Sequence, residues 1–443
     1  MEITKTDEGL KRVVGLPAFS MSIVNNSIGS GMFVLPAIVG IQLGAFGIFC
    51  YLFCGIMLAA IMLCYAEAGS RITTSGGSYA YIEAAFGPFA GFIANWLYTF
   101  GWGILGSAAV MNILADSLSM LFPVFLNPFI RALLCFILLA SLALINIRGA
   151  KEGARFVQIL TVVKLLPLFM LIIFGLGHIN AANLHWEHFP SVKTFGDTAL
   201  VLFFAFAGFE ISLNVSGELK NPKRNVPLGI FLGGMFSLIV YLLIQTVTRG
   251  ILGDQIIAFK DAPLAGVAEN ILGPAGRIIL VATAAFSCLG ILSGDILATP
   301  RLLFAGANDR LFPKFLGKVH PKFATPHLAV ITYTSLIFIF SVSGGFKQLA
   351  ILASAAILLV YLAVILATIK LRTRKQDAPE KTFRVPGGLV IPFIGIAAIV
   401  WLLSSLSKWE ILSTIIFIAV VCSIYFITRK FQKNKPVTFP ASE

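Results

Sequence analysis

The chain contains the stretch Ser27-Ile28-Gly29-Ser30-Gly31-Met32-Phe33 inside an apolar run over residues 13–39. A second stretch, Phe204-Ala205-Phe206-Ala207-Gly208-Phe209-Glu210, lies inside the apolar run 195–217. Glycine weakens a helix, and unwound backbone at membrane depth is tolerated only where it lines a cavity or packs against protein. Two glycine-interrupted spans at corresponding positions of two halves indicate the binding site of a secondary transporter. We therefore expect a membrane carrier whose site lies where the two interruptions meet.

The composition indicates a protein that is solvated by lipid. Apolar residues make up 58% of the 443 residues and charged residues 12%, against roughly 25% charged in soluble domains. Runs of about 20 apolar residues mark membrane spans. We place twelve of them at 13–39, 44–69, 88–119, 124–146, 154–177, 195–217, 228–252, 274–302, 326–343, 345–371, 387–407 and 409–429. The expected fold is an all-α membrane protein with twelve transmembrane helices.

The net charge of +13 follows the positive-inside rule. Most of the 33 lysines and arginines lie in or beside segments that are cytoplasmic if the N-terminus is inside. The densest clusters are Arg148, Lys151 and Arg155; Lys220, Lys223 and Arg224; and Lys370, Arg372, Arg374 and Lys375. We therefore expect a multi-pass protein of the cytoplasmic (inner) membrane with both termini in the cytoplasm. Its expected surroundings are membrane lipid, and no nucleic-acid partner is needed to explain the charge.

The order of the spans predicts two inverted repeats. Five spans fall in 13–177 and five more in 195–371, and an odd number per half gives the halves opposite orientations in the bilayer. The first broken span then begins inside and the sixth outside, so their interruptions can meet near the midplane. Residues 387–429 are expected to form an appended hairpin, and 1–12 and 430–443 to form cytoplasmic tails.

The interrupted segments offer free backbone groups to a zwitterion. The N-terminal end of a half-helix presents N–H donors that suit a carboxylate, and the C-terminal end presents carbonyls that suit an ammonium. We expect residues 28–31 at the substrate carboxylate, the carbonyls of 205–207 at its amine, and Phe204 as an aromatic lid. The alternative is that the glycines merely allow close helix packing. The expected substrate-binding residues are Ile28, Gly29, Ser30, Gly31, Phe204, Ala205, Phe206, Ala207 and Gly208.

Lys164 and Glu210 are predicted to couple transport to protons. An ionisable group inside the membrane costs at least about 2.5–3.5 kcal/mol, so each is a functional hypothesis by default. Lys164 lies roughly 15 Å into the fifth span; it could be a fixed cation where other carriers hold sodium, or a proton carrier. Glu210 closes the second interruption and could load and release a proton as access alternates. The alternatives are a structural ion pair for Lys164 and a helix cap for Glu210.

Other motifs narrow the chemistry. Asp295 lies in the eighth span and could face a cationic substrate group, pair with Lys164 or reach solvent. The sequence lacks the GxxxxGK[ST] phosphate loop and HExxH. Its six cysteines fall within apolar spans without metal-ligand spacing, and His185 with His188 is a weak metal signal. We therefore expect no cofactor, no metal site and no enzymatic activity.

Several motifs resemble the amino acid–polyamine–organocation (APC) family. The run Gly29-Ser30-Gly31-Met32-Phe33 followed by Pro36 resembles the GSGIF signature, and 76–81 resembles the loop between the second and third spans. Residues 218–227 are similar to the ExKNPxRNxP stretch, and 298–301 with 309–313 resemble the end of the eighth span and the loop beyond. The resemblance implies the leucine-transporter-type five-plus-five inverted repeat, with broken helices one and six, and alternating access.

The resemblance also implies roles for single residues. Glu210 matches a glutamate linked to proton sensing, and Lys164 falls where sodium-independent members carry a lysine. Phe204 stands where the arginine–agmatine exchanger of the family has a gating tryptophan, whereas Asp295 replaces its substrate-stacking tryptophan and Gly106 its asparagine. Tyr79 matches an inner-gate tyrosine. The expected gating or selectivity residues are Tyr79, Tyr98, Gly106 and Asp295.

Together these features predict a secondary active amino acid transporter. We expect it to be proton-coupled and sodium-independent, to carry a small-molecule amino acid or amine, and to work by alternating access. The alternative, favoured by Asp295, is an exchanger of cationic amino acids or polyamines, and a non-transporting amino acid sensor is a minor alternative. The sequence leaves the substrate, the stoichiometry and the oligomeric state open.

Overall fold

The computed structural model describes residues 15–72, 77–148, 150–186, 189–308, 312–323, 325–373 and 383–433. Parts of several sequence predictions lie outside these ranges. They include the predicted N-terminal tail 1–12, residues 13–14 of the predicted first span, Gly76 of the motif 76–81, residues 309–311 of the loop motif, residues 434–443 of the predicted C-terminal tail, His188, Arg374 and Lys375.

The first part of the described chain consists of helices joined by short turns. A π-helical stretch, Leu97–Ile104, makes α5 and α6 one element, and the 3-10 turn Ser30–Phe33 separates α1 from α2. The helices are α1 (Leu16–Ser27), α2 (Leu35–Leu43), α3 (Gly47–Arg71), α4 (Gly77–Phe86), α5 (Pro88–Trp96), α6 (Leu105–Leu121), α7 (Pro128–Arg148) and α8 (Ala150–Leu176).

The second part of the described chain is also helical. The 3-10 segment Phe209–Glu218 separates the ninth helix from the tenth. The helices are α9 (Val192–Phe206), α10 (Pro222–Leu252), α11 (Pro263–Leu272), α12 (Pro274–Ala298), α13 (Pro300–Asn308), α14 (His327–Ser343), α15 (Phe346–Thr373), α16 (Val390–Ser404) and α17 (Lys408–Lys433).

Many of these helices are long and apolar enough to cross a membrane. Within the described residues, eight stretches meet that description: Leu35–Arg71, Pro88–Leu121, Pro128–Arg148, Val192–Leu213, Arg224–Phe259, Pro274–Phe304, Phe346–Thr373 and Lys408–Ile427. Shorter apolar helices are Val163–Leu176, His327–Ser343 and Val390–Ser404. The chain is therefore an all-helical, multi-pass membrane protein. The number of twelve spans, the inverted repeat and the domain boundaries stay predictions.

Proline and glycine set many of the helix ends. Proline stands at the first or second position of α5, α11 and α12, where its missing N–H would have no intrahelical partner in any case. Gly253 and Gly273 end α10 and α11 with φ of 51° and 68°, a backbone region that glycine adopts without a steric penalty. Gly273 lies between two of the apolar stretches. Gly208 differs because it lies inside Val192–Leu213, and Gly29 lies inside the predicted first span, residues 13–39.

The interrupted segments lie at the centre of the helix packing. Helix α1 packs against α10 and the segment Phe209–Glu218, while α9 packs against α2, α3 and α15. Helix α17 lies at the periphery, since 6% of its most apolar window is buried. An apolar helix with so little burial is suited to contact with lipid. The site described below is therefore enclosed by protein.

A buried carboxylate fastens α3 to α15 at one end of the bundle. Glu67 is fully buried and accepts two hydrogen bonds from Arg372, from Nε at 2.8 Å and from Nη2 at 2.6 Å. Arg71 Nη2 at 3.2 Å and the backbone N–H of Val385 at 2.8 Å also donate to it. A buried charge persists when it is paired and hydrogen-bonded in this way. The pairing also holds the segment that leads into α16.

Candidate functional site

The first interruption is held by a buried lysine. Helix α1 ends at Ser27, and the chain passes through Ile28 and Gly29 before it turns again at Ser30–Phe33. Lys164 on α8 is 3% exposed, and its Nζ donates to the backbone oxygens of Asn25 at 2.9 Å and Ile28 at 3.0 Å. Cations are stabilised at the C-terminal end of a helix, where carbonyl groups are left without partners. The ammonium therefore satisfies the carbonyl end of α1.

The second interruption is held by a buried glutamate. Helix α9 ends at Phe206, and Gly208 has a φ of 115°. Glu210 is 1% exposed; its Oε2 accepts from the Gly208 N–H at 3.0 Å and from the Tyr361 hydroxyl at 2.5 Å. Its other oxygen, Oε1, is buried without a hydrogen-bond partner among the described residues. The carboxyl group thus caps the second interruption and keeps one oxygen unpaired.

The two interruptions lie against each other. The hydroxyl of Tyr241 on α10 is within hydrogen-bond distance of the Ser27 oxygen and lies 2.6 Å from the Ala205 oxygen, so it bridges the ends of α1 and α9. Asn26 Nδ2 donates to Ser212 Oγ at 2.9 Å, which adds a side-chain link. The sequence analysis missed Tyr241. A tyrosine inside an apolar span is a usable signal, because a buried hydroxyl normally has a partner.

A cavity of about 130 Å³ opens beside these interruptions. That volume is below the roughly 300 Å³ at which drug-sized ligand pockets begin, so this conformation suits a small molecule. Nine of the predicted site residues line it: Gly29, Ser30, Gly31, Gly106, Phe204, Ala205, Ala207, Gly208 and Asp295.

The remaining predicted residues lie outside this lining. Ile28 and Phe206 are buried in the surrounding core. Lys164 and Glu210 bind the backbone of the two interruptions, as described above. Tyr79 lies on α4 and Tyr98 on the π-helical stretch, and neither is among the described residues that line the cavity.

The apolar stretch Pro88–Leu121 supplies cavity residues that the sequence analysis missed. Trp102 and Gly103, from the π-helical stretch, and Ser107 line the cavity. The Trp102 ring lies with its centroid 5.6 Å from that of Phe204, so an aromatic pair covers one side. Short π-helical insertions occur frequently at functional sites. The glycine-rich sequence of this stretch is the signal that could have indicated it.

Asp295 is held by hydroxyl groups from three elements. Its Oδ2 accepts from Ser107 Oγ at 2.6 Å and from the Tyr333 hydroxyl, and its Oδ1 accepts from Thr299 Oγ1 at 2.6 Å. The hydrogen bonds of Lys164 go to carbonyl oxygens instead. Asp295 and Lys164 therefore do not form the ion pair that the sequence left open.

The comparison with known families agrees with this architecture. The family model of the amino acid permeases matches residues 14–441. The chain belongs to this family. The predicted membership of the APC group is confirmed.

Characterised relatives are similar over most of their length. The serine/threonine exchanger SteT of Bacillus subtilis is 29% identical over 90% of this chain and 92% of its own. The branched-chain amino acid permease BcaP of Lactococcus lactis is 28% identical over 93% of each chain. The large neutral amino acids transporter small subunit 2 of Mus musculus is 28% identical over 84% of this chain and 72% of its own. These relatives are transporters rather than enzymes.

Gly208→Ala is expected to lower amino acid uptake at least about tenfold. A Cβ there would lie 2.7 Å from the backbone oxygen of Asn26. A φ of 115° is also strained for any residue with a side chain. The measurement is uptake by proteoliposomes, normalised to monodisperse purified protein. Gly345→Ala is the matched control, since its Cβ meets nothing within 4 Å. Equal uptake by both variants would contradict the predicted role of the second interruption.

Proposed function

We propose that this chain is a sodium-independent, proton-linked amino acid carrier that works by alternating access. The observation that carries the proposal is the cavity between the two interruptions, lined by Gly29, Ser30 and Gly31 on one side and by Ala205 and Ala207 on the other. The start of a helical turn offers N–H donors to a carboxylate, and the end of a helix offers carbonyls to an ammonium. An α-amino acid carries both groups on one carbon.

The proposed architecture is the five-plus-five inverted repeat with twelve spans and both termini in the cytoplasm. The helix ends at Ser27 and Phe206 support it, because each interrupts one apolar stretch in a separate half of the chain. The relatives are named for serine/threonine, branched-chain and large neutral amino acids, which supports an amino acid as the substrate of this chain. Exchange rather than symport stays the alternative, since one relative is named an exchanger.

Sodium independence is proposed from the position of Lys164. Unwound carbonyls at such interruptions are the groups that coordinate sodium in other transporters. Here the ammonium donates to two of them, on Asn25 and Ile28. A fixed positive charge at hydrogen-bond distance from these oxygens opposes the binding of a second cation.

The test of the proposed function is uptake of labelled serine, threonine, alanine, leucine and isoleucine into proteoliposomes. The experiment uses an inward proton gradient and sodium-free buffer. Accumulation that a protonophore abolishes is the expected result. Uptake that requires substrate inside the vesicles would replace symport by exchange. Neither uptake nor binding of any amino acid would contradict the proposal.

Lys164→Ala is expected either to lower sodium-free uptake at least about tenfold or to make uptake depend on sodium. The substitution removes the ammonium and leaves two buried carbonyls without their donor, which is costly at membrane depth. Uptake at graded sodium concentrations distinguishes the two results. Lys193→Ala, at an exposed position in the first turn of α9, is the control. Sodium-free uptake at the wild-type rate would show that the lysine has neither role.

Glu210→Gln is expected to preserve substrate binding and abolish accumulation driven by the pH gradient. The amide keeps an oxygen for the Tyr361 and Gly208 donors but cannot exchange a proton. Coupling requires that proton and substrate change each other's affinity, so loss of the titrating group removes the linkage. Binding at two pH values and pH-driven uptake are measured together. Glu269→Gln is the control, since Glu269 pairs with Arg277 outside the cavity. Full pH-driven accumulation in the Glu210 variant would assign the proton to another group.

A further inference from the structure

Asp295 has a position in the cavity that no other ionisable side chain shares. Among the described residues that line the cavity, it is the single one with an ionisable side chain. It is half-buried in α12, and three hydroxyl groups occupy its carboxyl oxygens on the protein side. Each donor comes from a different part of the fold: Ser107 from α6, Tyr333 from α14 and Thr299 from the end of α12.

The surroundings of Asp295 are built to receive those hydroxyls. A Cβ on Gly103 would lie 2.7 Å from the Tyr333 hydroxyl oxygen and 3.2 Å from Thr299 Cγ2. The missing side chain at Gly103 therefore makes room for two of the three donors. Gly103 belongs to the π-helical stretch, an arrangement found frequently at functional sites. This local geometry fixes the orientation of the carboxyl group.

The Asp295 carboxyl group has three hydroxyl donors and no salt-bridge partner among the described residues. Hydroxyl donors stabilise a carboxylate by hydrogen bonds, but a charge away from water also needs an opposite charge. No salt bridge joins Asp295 to a described lysine or arginine, and the buried Lys164 donates to backbone oxygens instead. The open side of the carboxylate lies on the cavity, where the substrate binds.

We propose that Asp295, with Ser107, Thr299 and Tyr333, forms a subsite for the positively charged side chain of an amino acid such as ornithine or lysine. This inference rests on the proposed function and names its substrate class. The carboxylate supplies the charge and the hydroxyls hold it in place. Arg or Lys side chains of proteins form strong charge-assisted hydrogen bonds with carboxylates, and a substrate ammonium has the same chemistry.

The spacing within the cavity suits such a substrate. A Cβ on Gly29 would lie 3.6 Å from Ile291 Cδ1, so α12 touches the first interruption at Ile291. Asp295 follows Ile291 by four residues, about 6 Å along the helix. Ile291, which contacts the segment proposed to bind the substrate carboxylate, is thus about one helical turn from Asp295 along α12. Trp102 and Phe204, which also line the cavity, offer apolar surface to the methylene groups between the two charged ends.

The test compares amino acids that differ in the side-chain charge alone. Ornithine is paired with norvaline, and lysine with norleucine. The two members of each pair have the same number of side-chain carbons, and only the first carries a side-chain ammonium. Competition against a labelled substrate is measured with the purified full-length protein in proteoliposomes. We expect the wild-type protein to prefer each cationic member at least about tenfold, as for a desolvated charge pair.

The variant Asp295→Asn should reduce that preference at least about tenfold. The amide has nearly the same size and removes the charge. Asp254→Asn makes the same chemical change at a carboxylate that is 92% exposed, and should leave the ratio unchanged. The ratio compares the affinities for two amino acids measured on the same protein preparation. It therefore does not depend on how much of the protein is folded.

Several results would overturn the subsite. Equal affinity of the wild-type protein for lysine and norleucine would do so without any variant, while the carrier function would stand. An undiminished preference in Asp295→Asn would assign the selectivity to other residues. Competition by none of the four, with a labelled amino acid still taken up, would overturn the subsite alone. Uptake of no amino acid at all would overturn the proposed function together with the subsite.

Discussion

The structure depends on satisfying backbone groups where two helices stop in the interior of the helix packing. Water is scarce there, so each unpaired carbonyl or N–H is costly. At the first interruption the Lys164 ammonium binds the oxygens of Asn25 and Ile28. At the second, Glu210 accepts from the Gly208 N–H, and the Tyr241 hydroxyl bridges both ends. These three side chains come from three separate elements, so the packing of the bundle and the existence of the interruptions support each other.

The position of these three side chains also explains why the cavity is available to a ligand. Lys164, Glu210 and Tyr241 approach the interruptions without lining the cavity. Where the interruptions form the cavity wall, they contribute glycines and small residues such as Ser30 and Ala207, beside the aromatic ring of Phe204. Side chains therefore satisfy the backbone of each interruption on the side away from the cavity. On the side that faces the cavity, the backbone is left exposed. A small zwitterion can meet that backbone with its own charged groups.

Much of this arrangement can be predicted from the sequence. The parts that cannot be predicted share a physical cause. The apolar runs and the glycines within them indicate the helix breaks, and Lys164 stands out because an ionisable group is expensive at that depth. The partners of Asp295 could not be predicted in this way. Ser107 and Tyr333 are distant in sequence, and their hydroxyls reach Asp295 because three elements converge there. Ile28 and Phe206 show a second limit. A motif identifies the interruption, but which side chain faces the cavity depends on how the turn is packed.

The carboxyl groups of Glu210 and Asp295 stand in different relations to a substrate. Asp295 lines the cavity, so a ligand acts on its charge directly, through contact. Glu210 is separated from the cavity by backbone, and its connection to a ligand is the Gly208 N–H that it accepts. Because Gly208 lines the cavity, any movement of the second interruption changes both the cavity wall and this hydrogen bond. The proposed coupling through Glu210 is therefore conformational, whereas the proposed selectivity at Asp295 is local. In this proposal Glu210 responds to the conformational state of the protein, and Asp295 responds to the bound molecule.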